Sequence, residues 1–152
     1  APGRTPSGTR IIPATAAPAA RARVLVIDDE DMIGNMLGRV LKPHDVTVLT
    51  SATDALAQIA AGVRFDAILC DLMMPGMTGI DFHQALTREH PDQVDALMFL
   101  TDGAFNTATA AFLESVANPR LEKPFDVPNL RAVVDRHIAS RGIATQPPGG
   151  ST

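Results

Sequence analysis

The residues of this sequence that could take part in chemistry stand at the ends of short apolar runs. Asp28, Asp29 and Glu30 follow the run VLVI at residues 24–27, and Asp71 ends the run AILC. Carboxylates that lie close together repel one another, and a hard divalent cation relieves that repulsion by taking their oxygens as ligands. If the fold brings the two groups together, they form a site for Mg²⁺.

Two polar residues follow later apolar runs in the same way. Thr101 comes after ALMFL at residues 96–100, and Lys123 comes after RLE at residues 120–122. A divalent cation, an ammonium group and a hydroxyl around one carboxylate suit a phosphoryl group, whose oxygens need neutralisation and whose transfer depends mainly on positioning. The set therefore indicates phosphoryl chemistry centred on Asp71.

The elements that must position these residues alternate between strand and helix. Runs with strand character lie at residues 24–27, 46–49, 65–70, 96–100 and 120–122. Each is followed by apolar residues at helical spacing, as in Ile33, Met36 and Leu37 after the first run. This alternation predicts an α/β fold, a flavodoxin-like, doubly wound five-stranded parallel sheet with helices on both faces.

The composition of the strands predicts their order. The residues at 24–27, 67–70 and 96–100 are apolar throughout, as expected of strands covered on both faces, whereas 46–49 and 120–122 carry polar residues, as edge strands do. Edge positions for the second and fifth strands fit the order 2-1-3-4-5. The carboxyl ends of parallel strands meet at one edge of such a sheet, so the acids, Thr101 and Lys123 are expected to converge there.

Composition also sets the domain boundaries and excludes some partners. Residues 1–22 are rich in Pro, Ala, Gly and Thr and residues 142–152 are similar, so a disordered linker and a disordered tail are predicted around one domain at 23–141. The net charge is −4, and the first 22 residues hold three arginines and no acid, so the rest of the chain carries −7. An acidic body without Trp or Tyr argues against nucleic-acid binding.

The single cysteine and the hydropathy of the chain predict its compartment. Cys70 cannot form an internal disulfide, and no stretch approaches the roughly 20 apolar residues of a membrane span. These features predict a cytoplasmic protein that does not enter the membrane. Cys70 lies within a predicted strand and is expected to be a buried hydrophobic residue.

Four motifs in order, VLVIDDE, DLMMPGMTG, FLTDG and LEKPF, give the sequence a resemblance to a known family. Over residues 23–140 the chain resembles the response-regulator receiver domain of two-component signalling. The resemblance implies that Asp71 accepts a phosphoryl group from a histidine kinase or a histidine phosphotransfer protein, and that the modified domain switches a binding surface. The sequence around LEKPF also resembles that of receiver domains attached to hybrid histidine kinases.

The resemblance assigns a role to each residue already singled out. The implied magnesium ligands are Asp28 (through water), Asp29, Asp71 and the backbone carbonyl of Met73. The implied contacts of the phosphoryl group are Thr101 and Lys123. The bond between Lys123 and Pro124 is expected to be cis.

Two residues depart from the family pattern. Arg120 stands three residues before Lys123, where many receivers carry a Tyr or Phe that turns inward on activation, so this aromatic switch is expected to be missing. Asp102 directly follows Thr101, where receivers commonly hold Ala or Gly. Asp102 is expected either to enter the phosphoryl pocket or to cap a helix that begins near Ala104.

Three other interpretations of the same residues stay open. The acids at 28–30 alone fit a helix N-cap and first turn, where negative charge is favourable. The full set also fits a phosphatase or phosphotransferase with an aspartyl-phosphate intermediate, although enzymes of the haloacid-dehalogenase type carry Asp-x-Asp after the first strand. A degenerate receiver that serves only for docking is the third interpretation.

Overall fold

The computed structural model describes residues 22–103 and 106–140, which form an alternating series of strands and helices. The strands are β1 (Arg23–Ile27), β2 (Asp45–Leu49), β3 (Ala67–Asp71), β4 (Leu97–Thr101) and β5 (Arg120–Glu122). The helices are α1 (Asp31–Val40), α2 (Ala52–Ala60), α3 (Gly79–Glu89), α4 (Thr107–Ser115) and α5 (Val127–Ser140). The predicted tail and residues 1–21 of the predicted linker lie outside the described residues.

The five strands form one parallel sheet in the order β2-β1-β3-β4-β5. Every residue of β3 and β4 is buried, as is β1 after Arg23, whereas β2 is only half-buried and β5 alternates between exposed and buried residues. The predicted order and the predicted edge strands are therefore confirmed.

Helices cover both faces of the sheet. On one face α1 and α5 pack through residues such as Leu37 and Val134. On the other face α2, α3 and α4 pack through residues such as Ile59, Phe82 and Leu113. Both faces are apolar because successive residues of a strand point to opposite sides, so strands covered on both sides need continuous apolar runs.

Helix α3 begins close against the end of β3, and glycine makes this approach possible. A Cβ placed on Gly79 would lie 2.9 Å from the carbonyl oxygen of Asp71 and 2.9 Å from Leu72 Cα. Thr78 and Asp81 hold the start of the helix in a reciprocal capping box, each side chain accepting from the other's backbone N–H at 3.1 Å. The loop that follows Asp71 is therefore fixed at both ends.

The sequence prediction for α4 needs a correction. The helix begins at Thr107 rather than near Ala104, and its N-cap is Asn106, whose side chain accepts a hydrogen bond from the Thr109 amide at 2.8 Å. The hypothesis that Asp102 caps this helix is therefore wrong. A 3₁₀ helix at Pro91–Ala96, before β4, was also not predicted.

Candidate functional site

The carboxyl edge of the sheet contains a cleft of about 260 Å³. The residues that line it are Asp29, Glu30, Asp71, Met73, Asp102 and Lys123. Asp28 and Thr101, which end β1 and β4, are buried at the same edge, with exposed fractions of 0% and 1%. The structure thus brings together all of the predicted site residues, because parallel strands end side by side.

Three carboxylates lie close enough to share one cation. Asp28, Asp29 and Asp71 each offer an oxygen, and these oxygens lie within 4.8 Å of one another. Asp28 Oδ1 accepts from the Glu30 amide at 2.9 Å, while the buried Asp28 Oδ2 faces Lys123 Nζ at 3.1 Å. Three hard oxygen donors gathered at one point are a ligand set that fits Mg²⁺.

The Lys123 ammonium is the positive charge of the site. Its Nζ lies 3.1 Å from Asp28 Oδ2, 3.6 Å from Asp71 Oδ2 and 3.7 Å from Glu30 Oε1. Burial alone lowers the pKa of Lys123, but the contact with Asp28 and the charges of Asp71 and Glu30 outweigh it and raise the pKa above its usual value. Lys123 is therefore a fixed ammonium beside Asp71.

Asp71 has a pKa raised to about 6. Burial is the largest cause and the Asp28 carboxylate is the next, while Lys123 and the Met73 amide lower the pKa by smaller amounts. The Met73 N–H donates to Asp71 Oδ1 over 3.4 Å. Burial and the Asp28 charge thus disfavour the ionised form of Asp71. A bound cation would reduce this electrostatic repulsion, and so would a covalent bond to the Asp71 oxygen.

Thr101 is the last residue of β4 and is buried where the strand passes into a tight turn. Its Oγ1 accepts from the Gly103 amide at 3.0 Å, so the hydroxyl hydrogen remains to be donated elsewhere. Its carbonyl oxygen accepts from the Lys123 amide at 2.7 Å, which ties the end of β4 to the end of β5. The turn thus holds the hydroxyl and the lysine in a common frame.

One functional contact was not predicted from the sequence. Glu30 was noted only as the third acid after β1, but it lines the cleft and forms the outer ion pair of Lys123 at 3.7 Å. The only sequence feature that could have indicated this contact is the position of Glu30 directly after Asp28 and Asp29.

Cys70 is buried, as predicted, and burial together with the charges of Asp71 and Asp28 raises the pKa of its thiol well above the usual value.

The fold and the site together define a flavodoxin-like α/β domain with an acidic pocket and a lysine at the carboxyl edge of its sheet. The family model described as response regulator receiver domain matches residues 24–135. The chain belongs to this family, whose members are the receiver domains of two-component signalling.

Curated relatives extend beyond this chain. The DNA-binding response regulator MtrA of Mycolicibacterium paratuberculosis is 35% identical over 116 residues, covering 75% of this chain and 50% of that protein. The transcriptional regulatory protein TcrA of Mycobacterium tuberculosis is 32% identical over 128 residues, covering 83% of this chain and 49% of that protein. The chain therefore spans about half the length of these relatives.

This chain also matches solved structures of the same fold, and each match includes nearly the whole of the solved chain. The chemotaxis protein CheY4 of Vibrio cholerae matches with a TM-score of 0.65 and 30% identity over 77% of this chain and 98% of that one. A sensor protein from Polaromonas sp. JS666 matches with a TM-score of 0.68 and 27% identity over 80% of this chain and 98% of that one.

Among the described helices, none combines the length and the apolar composition needed to cross a bilayer.

Proposed function

We propose that this domain is the phosphoacceptor of a two-component phosphorelay and that Asp71 takes a phosphoryl group from a histidine kinase or a histidine phosphotransfer protein in a Mg²⁺-dependent reaction. The observation that carries the proposal is the convergence of Asp71 with Asp28, Asp29 and Lys123 in one cleft. A docking-only receiver has no need of a carboxylate cluster, a fixed ammonium and a hydroxyl around one acid.

The reaction at Asp71 follows from the chemistry of the donor. An ionised Asp71 oxygen attacks the phosphorus of a phosphohistidine, a P–O bond forms, and the P–N bond breaks with its electron pair returning to the imidazole. The products are an acyl phosphate on Asp71 and a free histidine, which takes up a proton from solvent. One P–O bond replaces one P–N bond, so atoms and charge balance without any other co-reactant.

The chain's own residues then hold the transferred group. Lys123 pairs its ammonium with a phosphoryl oxygen, because its Nζ already lies 3.6 Å from Asp71 Oδ2. Thr101 donates its hydroxyl hydrogen to a second oxygen, since its own oxygen is occupied by the Gly103 amide. Mg²⁺ held by Asp28, Asp29 and Asp71, with the Met73 carbonyl as the further predicted ligand, would supply charge neutralisation during the transfer.

The output of the domain is a change in a binding surface rather than a released product. Thr101 connects the site to the turn before α4, so a hydroxyl that moves toward a phosphoryl group displaces the start of that helix. MtrA is named a DNA-binding response regulator. By analogy with it, an effector domain beyond this chain is the proposed target of the switch.

Labelling by acetyl phosphate tests the phosphoacceptor proposal. Intact-mass measurement is expected to find one added phosphoryl group in the presence of Mg²⁺, none in EDTA, and none in Asp71→Asn. Asp54→Asn, which removes an exposed acid from the first turn of α2, is the matched control and should be labelled like the native chain. Labelling of the Asp71→Asn variant would contradict the assignment, and sustained turnover of small phosphate esters would instead indicate a phosphatase.

A further inference from the structure

Glu30 occupies the N-cap position of α1, yet its side chain does not cap the helix. Its backbone is extended, with φ −93° and ψ 111°, and its carbonyl oxygen accepts from the Gly34 amide at 3.1 Å. Its carboxylate makes no capping hydrogen bond. Ser, Thr, Asp and Asn are preferred at an N-cap because their shorter side chains reach the amides of the first turn. Glu30 therefore lacks a stabilising contact that Asp or Ser would make at the same position.

The Glu30 carboxylate lies beside Lys123 instead. Glu30 Oε1 is 3.7 Å from Lys123 Nζ, and the Glu30 side chain is 65% exposed where it lines the cleft. The Glu30 amide donates to Asp28 Oδ1 at 2.9 Å, while Asp28 Oδ2 lies 3.1 Å from the same ammonium. Glu30 thus contacts both members of the buried ion pair, one through its backbone and the other through its side chain.

Three carboxylates share the Lys123 ammonium, and a phosphoryl group on Asp71 would be a further partner. Lys123 Nζ lies 3.1 Å from Asp28, 3.6 Å from Asp71 and 3.7 Å from Glu30. When the ammonium turns toward a phosphoryl oxygen, it must weaken one of these contacts. Asp28 is fully buried and costly to leave without its cation, whereas the exposed Glu30 carboxylate is readily hydrated. Glu30 is therefore the partner that Lys123 gives up.

We propose that Glu30 is a positioning residue that holds Lys123 in the unphosphorylated chain and competes with the phosphoryl group for its ammonium. Glu30 acts on the reaction through Lys123. The competition lowers the phosphorylated fraction that a given donor sustains. The inference rests on the phosphoacceptor function proposed for Asp71 and adds to it a residue that regulates how firmly the phosphoryl group is held.

Three substitutions separate the ion pair from the charge of Glu30. Glu30→Gln keeps the size of the side chain and removes its charge. Glu30→Asp keeps the charge, but the shorter carboxylate is drawn to the first-turn amides of α1 and away from Lys123. Glu30→Ser removes the charge and also caps the helix. Thermal unfolding verifies each fold, and the two capping variants should melt about 4 °C above the native chain.

Binding of beryllofluoride, a mimic of the phosphoryl group, measures the competition without any transfer. At saturating Mg²⁺ its affinity, followed by amide chemical shifts, should rise about threefold in all three Glu30 variants, because an exposed ion pair is worth a factor of roughly two to five. Labelling by acetyl phosphate should rise by a similar factor. Asp31→Asn is the matched control, since it removes an exposed first-turn acid outside the residues that line the cleft, and it should change neither quantity.

The Glu30→Asp variant decides between the ion pair and the charge alone. Native affinity in Glu30→Asp, with a gain in Glu30→Gln, would assign the effect to charge and overturn the positioning role. Unchanged or weaker binding in all three variants would overturn it as well.

Lys123→Met supplies the background in which the effect of Glu30→Asp should vanish, because no ion pair remains to be broken. A gain that persists there would contradict action through Lys123. If Asp71→Asn is still labelled, the phosphoacceptor proposal itself fails; if Asp71→Asn blocks labelling and the Glu30 variants behave like the native chain, the failure is confined to this inference.

Discussion

Lys123 Nζ lies 3.6 Å from Asp71 Oδ2, close enough for attraction but too long for a strong hydrogen bond. The ammonium is drawn instead toward the buried Asp28 carboxylate at 3.1 Å. A phosphoryl group on Asp71 would offer Lys123 a closer anion on the open side of the cleft. The resting geometry therefore leaves Lys123 able to exchange one partner for another.

Removing the ammonium should slow phosphorylation strongly. Lys123→Met is expected to reduce the rate of labelling by acetyl phosphate about a hundredfold, the usual cost of losing one preorganised group that stabilises developing charge. It should also destabilise the fold by about 2 kcal/mol, because Asp28 is left buried without its cation. Intact-mass kinetics and urea unfolding measure the two effects.

Two further variants separate the role of charge from that of folding. Lys123→Arg keeps the charge and should retain most of the stability, yet its planar, bulkier head should still slow labelling. Lys42→Met removes the other lysine of the chain, which is exposed after α1, and should leave the rate unchanged. A normal rate in Lys123→Met would show that the lysine serves the fold alone.

The raised pKa of Asp71 predicts a pH-dependent stability in EDTA. Its folded pKa of about 6 exceeds the ordinary value of 3.8, so between these values the folded state holds the proton more tightly and stability falls as pH rises. Above pH 6 the ionised Asp71 costs about 1–2 kcal/mol, after allowance for solvent in the cleft. Asp71→Asn should therefore be more stable than the native chain at pH 8 by that amount.

Urea unfolding at pH 5 and pH 8 checks this prediction. The gain from Asp71→Asn should be much smaller at pH 5, where Asp71 is largely protonated in the folded chain. Adding Mg²⁺ at pH 8 should stabilise the native chain more than the variant, since the cation relieves the same repulsion. An equal gain at both pH values would mean that the effect does not come from ionisation of Asp71.

The sequence predicts the sheet and the position of the acids because both depend on local patterns. A continuous apolar run such as Ala67–Cys70 requires cover on both faces, and a parallel sheet of that kind places Asp71 at its carboxyl edge. The beginning of α4 was not predictable in the same way. Asn106 and Asp102 are both suitable caps by type, so the residue type alone does not show that the helix starts at Thr107 with Asn106 as its cap.

Contacts between distant side chains were also beyond the reach of sequence patterns. The ion pair of Glu30 with Lys123 joins residues 93 positions apart, and its partners are set by the packing of the strand ends. The His83 ring lies against Phe99 and Phe112, at centroid distances of 6.1 Å and 5.2 Å, although nothing in its helical spacing distinguishes it from the other histidines. Such contacts depend on three-dimensional packing.

The backbone next to the site leaves no room for a side chain at Gly79. Gly79→Ala should destabilise the domain by about 2 kcal/mol and slow labelling, because the new methyl group would meet backbone atoms of Asp71 and Leu72 at 2.9 Å. Gly38→Ala in α1 is the control, since its methyl group would meet only Val48 at 3.6 Å and alanine favours the helix. Thermal unfolding should show opposite signs for the two variants.

Arg120 should not be the transmitter of the activation signal. It is an exposed residue of β5 whose register partner is Phe99 of β4, and it replaces the aromatic residue that many receivers use there. Arg120→Ala is expected to keep the amide shifts that beryllofluoride induces in α4, because we propose that the signal passes through Thr101. Loss of those shifts in Arg120→Ala, with the shifts around Asp71 retained, would assign transmission to Arg120.

His83 predicts a second, separable pH effect. Burial between α3, β4 and α4 lowers its pKa, and the Asn118 side chain opposes this only in part. Below the ordinary histidine pKa of 6.5 the unfolded chain takes up a proton that the folded chain resists, so stability falls as pH falls. The pH dependence of stability that His83 causes is therefore opposite in sign to the pH dependence that Asp71 causes.

The two slopes can be separated by measuring His83→Leu in the Asp71→Asn background. Leucine fits an apolar position of similar volume, so at pH 7.5 the free energy of unfolding should change by less than about 1.5 kcal/mol. Between pH 7.5 and pH 5.5 the double variant should lose less stability in urea than Asp71→Asn alone, because the group that resists protonation is gone. An identical loss in both proteins would mean that the ring is protonated in the folded state as readily as in the unfolded chain, and that the contacts with Phe99 and Phe112 survive the charge.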